Sequence, residues 1–245
     1  MSSNNSNILK FAKKYKIFKR LYFFYNIYIR NFKFYFKNSQ FGEDEKILKF
    51  FKKNYKGNFI DLGCYHPTRH NNTFKMYKLG WRGINIDLNP LTIEMFNFAR
   101  PKDINICSAI SNKKSKVKLY FVGDLSTQNT IDTNHTNLLK GHFGIKKKDI
   151  SIKKIKTDKL ETILKKYKIL KVDFMNIDIE GNELKVLKSI NLKKYNIGLI
   201  CVEIIDHNKF TKLRKKQLMI YFKKNGYTLK SRSVINYIFK KSKNF

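Results

Sequence analysis

Acidic residues are scarce in this chain. Only 18 Asp and Glu stand against 52 Lys and Arg, a net charge of +34. Such a surface favours anionic partners: nucleic acid, acidic lipid or an anionic glycan. Gly, with 11 copies, and Pro, with 3, are also few. Ala is sparse too, while Asn, Ile, Tyr and Phe are abundant, a bias that AT-rich coding writes at neutral positions. Selection for anion binding and coding bias are both open as causes of the charge, because the lysines are spread along the chain and form no single block. Cysteines number three, Cys64, Cys107 and Cys201, and none forms a C-x-x-C pair. An odd count beside apolar, strand-like runs points to buried reduced thiols and away from a disulfide framework or a catalytic Cys.

No apolar run approaches the roughly 18 uncharged residues of a membrane span. The nearest, Leu21 to Ile29, ends at Arg30. The Lys-studded first residues lack the uninterrupted apolar stretch and small-residue cleavage site of a secretory signal. The expected location is cytoplasmic. What the chain does have is 245 residues and 42% hydrophobic content. That suits one α/β domain with a sizeable core plus an extension. The expected division is a basic N-terminal extension over 1–37 and a main domain over 38–245.

In the extension, Ile8, Phe11, Tyr15, Phe18, Tyr22, Tyr25 and Ile29 recur at spacings of three and four, the stripe of one helix face. Lys10, Lys13, Lys14, Lys16, Lys19 and Arg20 lie between them. A basic helix with an aromatic face suits the inner face of an anionic membrane, here through residues 8–33. Packing on the main domain or on a partner subunit is the other reading. Ser39 is placed to cap a helix whose first turn holds Glu43 and Asp44.

Beyond, strands and helices alternate. Strands are expected at Asn58–Leu62, Gly83–Ile86, Ile104–Ile110, Lys116–Phe121, Phe174–Ile177 and Ile197–Glu203. Helices are expected at Thr73–Leu79, Leu91–Arg100, Leu160–Leu164, Asn182–Ser189 and Leu213–Asn225. Tyr227–Lys230 and Val234–Phe239 read as a closing hairpin. Residues 122–154 read as a long loop or insertion. No internal repeat is evident. The alternation argues for a mostly parallel, doubly wound sheet.

Ligands of such sheets bind beyond the carboxyl ends of the strands. Asp61, Asp87, Asp178 and Glu203 fall at or near those ends. Gly63 lets the chain turn tightly and approach a ligand. Asp87, at the next strand tip, can accept hydrogen bonds from both hydroxyls of a ribose. The three-glycine loop that cradles a pyrophosphate is missing, which weakens an NAD reading. A loop-anchoring role for Asp61 and a surface charge at Asp87 are the plainer alternatives.

The string Ile60-Asp-Leu-Gly-Cys-Tyr-His-Pro-Thr-Arg-His-Asn-Asn-Thr73, followed by Tyr77-Lys-Leu-Gly-Trp-Arg-Gly-Ile-Asn-Ile-Asp87, resembles the FkbM family of methyltransferases. So do Ser39-Gln-Phe-Gly-Glu-Asp44, Thr157-Asp-Lys-Leu160 and Asp173-Phe-Met-Asn-Ile-Asp-Ile-Glu-Gly-Asn-Glu183. The resemblance spans about residues 39–205. It implies a Rossmann-like class I methyltransferase fold, with a mostly parallel central sheet flanked by helices. It also implies S-adenosylmethionine-dependent O-methylation of a sugar hydroxyl in a glycan, polysaccharide or glycosylated small molecule. Carried onto this chain, Asp61, Gly63, Tyr65, Asp87, Leu88, Ala109 and Ser111 fall on the cofactor side. Asp178 and Glu180 match an acidic pair facing the transferred methyl.

A sulfonium methyl is already activated, so the enzyme must hold a hydroxyl in line and take its proton. Asp178 and Glu180, two apart in an extended strand end, would face one side. Together they could serve as general base or hold a divalent cation such as magnesium. His66 is a further candidate base. Arg69, His70, Asn72 and Glu203 are candidates for contact with the acceptor. Competing readings are an RNA 2′-hydroxyl methyltransferase, suggested by the charge, and a membrane-associated protein that has lost catalysis. No exocyclic-amine methylation motif or RNA-binding module accompanies the charge, and the intact acids Asp61, Asp87, Asp178 and Glu180 speak against lost catalysis.

Overall fold

The computed structural model describes residues 15–37, 39–124, 126–133, 135–136 and 144–242. The expectations for Ile8 and Phe11, and for Lys10, Lys13 and Lys14, lie outside the described residues.

Seven strands build the main sheet: β1 (Asn58–Leu62), β2 (Arg82–Asp87), β3 (Ile104–Cys107), β7 (Phe174–Ile177), β8 (Leu199–Glu203), β9 (Tyr227–Arg232) and β10 (Asn236–Lys241). Their order is β3-β2-β1-β7-β8-β10-β9. Neighbours are parallel except at β10, which runs antiparallel to both β8 and β9. The expected terminal hairpin is therefore present, with its second strand inserted between β8 and β9. The order reverses between β1 and β7, so the topological switch point lies beside Asp61 and Asp178.

Both sheet faces are covered, as a parallel sheet requires. The central strands accordingly read as nearly continuous apolar runs whose alternate residues serve two cores. Ile60, Leu62, Met175, Ile177, Ile200 and Val202 join one core with Leu160, Leu164, Val186, Leu187 and Phe222. Those partners come from α6 (Leu160–Lys166), α7 (Glu183–Ser189) and α8 (Lys209–Lys224). Phe59, Phe174, Leu199 and Cys201 join the other, with Ile47, Met76 and Trp81. Ile47 belongs to α3 (Glu43–Leu48) and Met76 to α4 (Phe74–Lys78).

One row interrupts the apolar pattern. Asn105, Asn85, Asp61 and Asn176 are register partners across β3, β2, β1 and β7. They bond sideways: Asn85 donates to Asn105 at 2.8 Å, and Asn176 to Asp61 at 2.9 Å. A buried polar group needs such a partner, because an orphan one costs about 1–3 kcal/mol.

The run expected as one strand over Ile104–Ile110 breaks at Ser108. Its first part is β3; its second is β4 (Ala109–Ser111), in a separate small sheet of order β4-β6-β5. There β5 (Ser115–Phe121) pairs antiparallel with β6 (Ser151–Lys159). Strand β6 begins within the stretch expected to be loop through residue 154. Its residues are mostly exposed, so no apolar period marks them.

Helix α5 (Pro90–Ala99) starts at Asn89, whose side chain accepts the Leu91 N–H at 3.0 Å. At the N-terminal end, α1 (Lys16–Phe24) continues as a π-helical turn over Tyr25–Ile29, and the short α2 (Lys33–Phe36) follows. Tyr22, Phe23 and Ile27 pack on Leu91 and Met95 of α5. The expected stripe is thus only partly the buried face: Tyr22 is buried, whereas Tyr15, Phe18, Tyr25 and Ile29 are exposed. Ser39 does not cap the helix either. Gly42, at φ +77°, sits at the cap position of α3, and the Ser39 hydroxyl donates to Asp44. Among the thiols, Cys64 and Cys201 are buried as expected, but Cys107 is exposed at the sheet edge.

Candidate active site

A cavity of about 600 Å³ opens at the carboxyl ends of β1, β2, β7 and β8. Its floor is the β1 turn. Gly63 has φ +75°, and a Cβ on it would stand 1.7 Å from the Asp178 carbonyl oxygen. Only Gly lets the first loop and the end of β7 meet this closely.

The loop from Gly63 to Thr73 is anchored by Asp61. Its carboxylate accepts from Thr73 Oγ1 at 2.8 Å, Asn71 Nδ2 at 3.2 Å and Asn176 Nδ2 at 2.9 Å. Arg100, wholly buried and paired with Asp103 at 2.7 Å, bonds Asn71 and Thr73 from behind. Burial pushes the Asp61 carboxyl up, against these hydrogen bonds and the Arg100 charge, which pull it down. Asp61 lines the cavity, yet most of its accepting capacity is committed to the loop.

Asp87 ends β2. One oxygen accepts the Tyr65 N–H at 3.0 Å and the other the Asn89 N–H at 2.8 Å. Burial pushes its carboxyl up to about 7. Each oxygen retains a lone pair for a further donor from the cavity. Leu88, Ala109 and Tyr65 line the same end. Ser111 does not; it sits in β4, and Ser108, three residues earlier, lines the wall in its place.

At the other end, carboxylate oxygens of Asp178, Glu180 and Glu203 lie within 4.8 Å of one another. The route to this cluster differs from the extended strand end expected. Strand β7 stops at Ile177, and Glu180 has φ +50°. A turn brings the two acids together. Burial pushes Asp178 and Glu203 well above the usual carboxylate range, and mutual repulsion with Glu180 and Glu183 adds to it. The hydrogen bond between them favours the charged form of Asp178 and the neutral form of Glu203. Glu180 also stands 3.0 Å from His135 Nε2.

Arg69, His70 and Asn72 line the rim. The Arg69 guanidinium lies over the Tyr65 ring, and Asn72 donates to Asn176 at 3.0 Å. His66 is placed elsewhere. Its ring lies inside the loop, off the cavity wall. Nδ1 accepts the backbone N–H groups of Thr68 and Arg69, at 3.2 and 3.0 Å. Burial pushes it down to about 3. A ring so held keeps its basic nitrogen occupied, which removes it from the candidate bases.

Three lining residues, Tyr65, His70 and Glu180, adopt the left-handed backbone without being glycine. Such conformations cost about 1 kcal/mol or more each and gather at functional sites. Sequence reading missed Asn176, which joins Asp61 to Asn72. It also missed Ser126, Gln128 and Asn129, which bring the supposed loop onto the cavity wall. The signal for Asn176 was a lone polar residue within an apolar strand. For the 126–129 stretch there was none.

The sequence of residues 57–229 matches the model of the methyltransferase FkbM domain. This chain belongs to the FkbM methyltransferase family. The crystal structure of methyltransferase FkbM from Methylobacillus flagellatus KT is similar to it with a TM-score of 0.48 and 11% identity, covering 91% of this chain. The chain spans about half, 54%, of that structure's length. Comparison with curated proteins gave no match.

The residues present suit S-adenosylmethionine. Asp87 offers a carboxylate at a strand tip for the ribose hydroxyls, Leu88 and Ala109 offer apolar surface beside it, and Gly63 and Tyr65 line the same cavity.

Proposed function

We infer that this FkbM protein is an S-adenosylmethionine-dependent O-methyltransferase whose acceptor is a sugar hydroxyl in a glycan, polysaccharide or glycosylated small molecule. The observation that carries the reading is the carboxylate cluster of Asp178, Glu180 and Glu203 on the cavity shared with Asp87.

Bound S-adenosylmethionine supplies an electrophilic methyl group. The protein's own residues handle the acceptor. A hydroxyl must lose its proton as its oxygen gains the methyl, and a carboxylate is the group to take it. Glu203, whose carboxyl burial pushes up, donates to Asp178 and keeps it oriented. Asp178 is then the base, with a proton affinity raised by its crowded, buried setting. The raised affinity suits an alcohol, whose proton an ordinary exposed carboxylate accepts poorly. Arg69, His70 and Asn72 offer donors and acceptors to the remaining sugar hydroxyls at the rim. The polar wall from Ser126 to Asn129 adds further partners of the kind a sugar uses.

A second reading is that the three carboxylates hold a divalent cation, since their spacing would allow shared ligation. Metal dependence separates the two. Chelation should leave transfer unchanged if the cluster handles a proton; loss restored by magnesium favours the cation.

The test of the main reading uses S-adenosylmethionine labelled in its methyl group, offered with oligosaccharides, glycosylated small molecules and RNA. Base-stable label in the sugar fraction, abolished by Asp178→Asn, is the expected result. Label entering RNA alone would overturn it.

A further inference from the structure

Helix α1 has two apolar faces, and the fold uses one. The inner face, Tyr22, Phe23 and Ile27, is packed on α5. On the outer side, Ile17, Leu21 and Phe24 follow the i, i+4, i+7 spacing of a single stripe. They are 68%, 60% and 50% exposed. Past the π-helical turn, the exposed rings of Phe32 and Phe36 meet edge to face at 5.3 Å and extend the apolar surface. Scattered apolar residues on a surface are ordinary; a contiguous set like this marks an interaction site.

The surrounding charge selects the occupant. Residues 1–42 contain nine Lys and Arg and no Asp or Glu. Lys19 turns inward to Glu94, at 2.7 Å. Lys16 and Arg20, one helical turn apart, flank the outer stripe. A second copy of this face would set like charges against each other. A nucleic acid would satisfy the cations but leave Ile17 and Leu21 without an apolar medium. An anionic bilayer offers both: a negative surface for the cations and an acyl boundary for the stripe. No helix among the described residues is long and apolar enough to cross a membrane, so the geometry is that of a helix lying in the surface.

We propose that residues 15–37 seat the enzyme on an anionic lipid bilayer, through the stripe of Ile17, Leu21 and Phe24 flanked by Lys16 and Arg20. The same segment reaches the cavity rim, where Phe34 meets His70 at 4.8 Å between ring centroids. Seating therefore holds that rim close to lipid.

Flotation of the full chain with vesicles tests this without reference to turnover. Vesicles of phosphatidylcholine mixed with phosphatidylglycerol should carry the protein; vesicles of phosphatidylcholine alone should carry little. Replacing the stripe, Ile17→Ser with Leu21→Ser and Phe24→Ser, should cut partition on the order of tenfold or more. Its melting temperature and S-adenosylhomocysteine binding should match the parent. Should the triple variant melt low, Ile17→Ser alone gives the same comparison at the most exposed of the three positions. Failure of the parent to float on the anionic vesicles overturns the proposal. So does equal flotation of a natively melting stripe variant. Loss of self-association or RNA binding in that variant, with flotation intact, overturns it as well.

Discussion

The two ends of the cavity contain the same kind of residue in opposite circumstances. Asp61 is surrounded by donors: Thr73, Asn71 and Asn176 bond it directly, with the Arg100 charge behind. Asp178 faces the charges of Glu180 and Glu183, with Glu203 as its hydrogen-bond partner. Both carboxyls are pushed up by burial, yet repulsion from neighbouring acids adds to it only at Asp178. An acid wrapped in donors is an anchor whose removal leaves orphaned partners. An acid crowded by acids is under tension that folding alone does not require. The contrast favours a structural role for Asp61 and, on the proposed function, a chemical one for Asp178.

The largest effect belongs to the crowded end. Asp178→Asn should reduce turnover by about 10²- to 10⁴-fold, the usual contribution of a general base, in labelled methyl transfer. Turnover at the parent rate would remove Asp178 from the chemistry. Next comes the residue that joins the two ends. Gly63→Ala places a methyl against the Asp178 carbonyl. It should cost about 3 kcal/mol or more in denaturant unfolding, because neither the loop nor β7 can retreat from the cores behind them.

Asp87 sits between these extremes, with a carboxyl at about 7. A folded-state value above the unfolded one means that the unfolded chain releases the proton first. Stability attributable to Asp87 is therefore present at low pH and lost as pH rises from about 4 through 7. Melting temperature should fall over that window more steeply in the parent than in Asp87→Asn. Cofactor hydroxyls favour the charged form, so affinity for S-adenosylhomocysteine should strengthen from pH 6 to 8. Asp87→Asn should weaken binding about tenfold, as for loss of a charged hydrogen-bonding partner, and flatten that trend. The smallest effect on catalysis is expected at His66. With its ring locked inside the loop, His66→Gln should leave turnover within about threefold while costing some stability, about 1 kcal/mol for hydrogen bonds lost. A drop as large as that of Asp178→Asn would restore it to the reaction.

Much of this was legible in the sequence because strand ends announce themselves. Asp61, Asp87, Asp178 and Glu203 each close an apolar run, and the sheet order carries all four to one cavity. Less visible were positions whose role arises only from pairing. Asn176 is one polar residue in a buried strand until β7 sets it beside Asp61. Strand β6 lacks any apolar period because it lies on the surface as a Lys-rich partner of β5. Ser111, which the resemblance carries to the cofactor side, sits off the wall because the chain leaves the main sheet at Ser108, which lines the cavity instead. In α1, the three-and-four spacing captured a helix but not its inward side, since apolar residues occupy both faces. His66 looked like a base from its type and its loop; only the backbone N–H groups facing Nδ1 reveal an anchoring role.

The contrast between anchor and reactive acid is tested most directly by thermal unfolding of Asp61→Asn and Asp178→Asn, side by side at neutral pH. Asp61→Asn should melt well below the parent, having lost about 2–4 kcal/mol with a buried network broken. Asp178→Asn should melt at or above the parent, since a repelling charge is removed. A destabilised Asp178→Asn beside an unaffected Asp61→Asn would contradict the account.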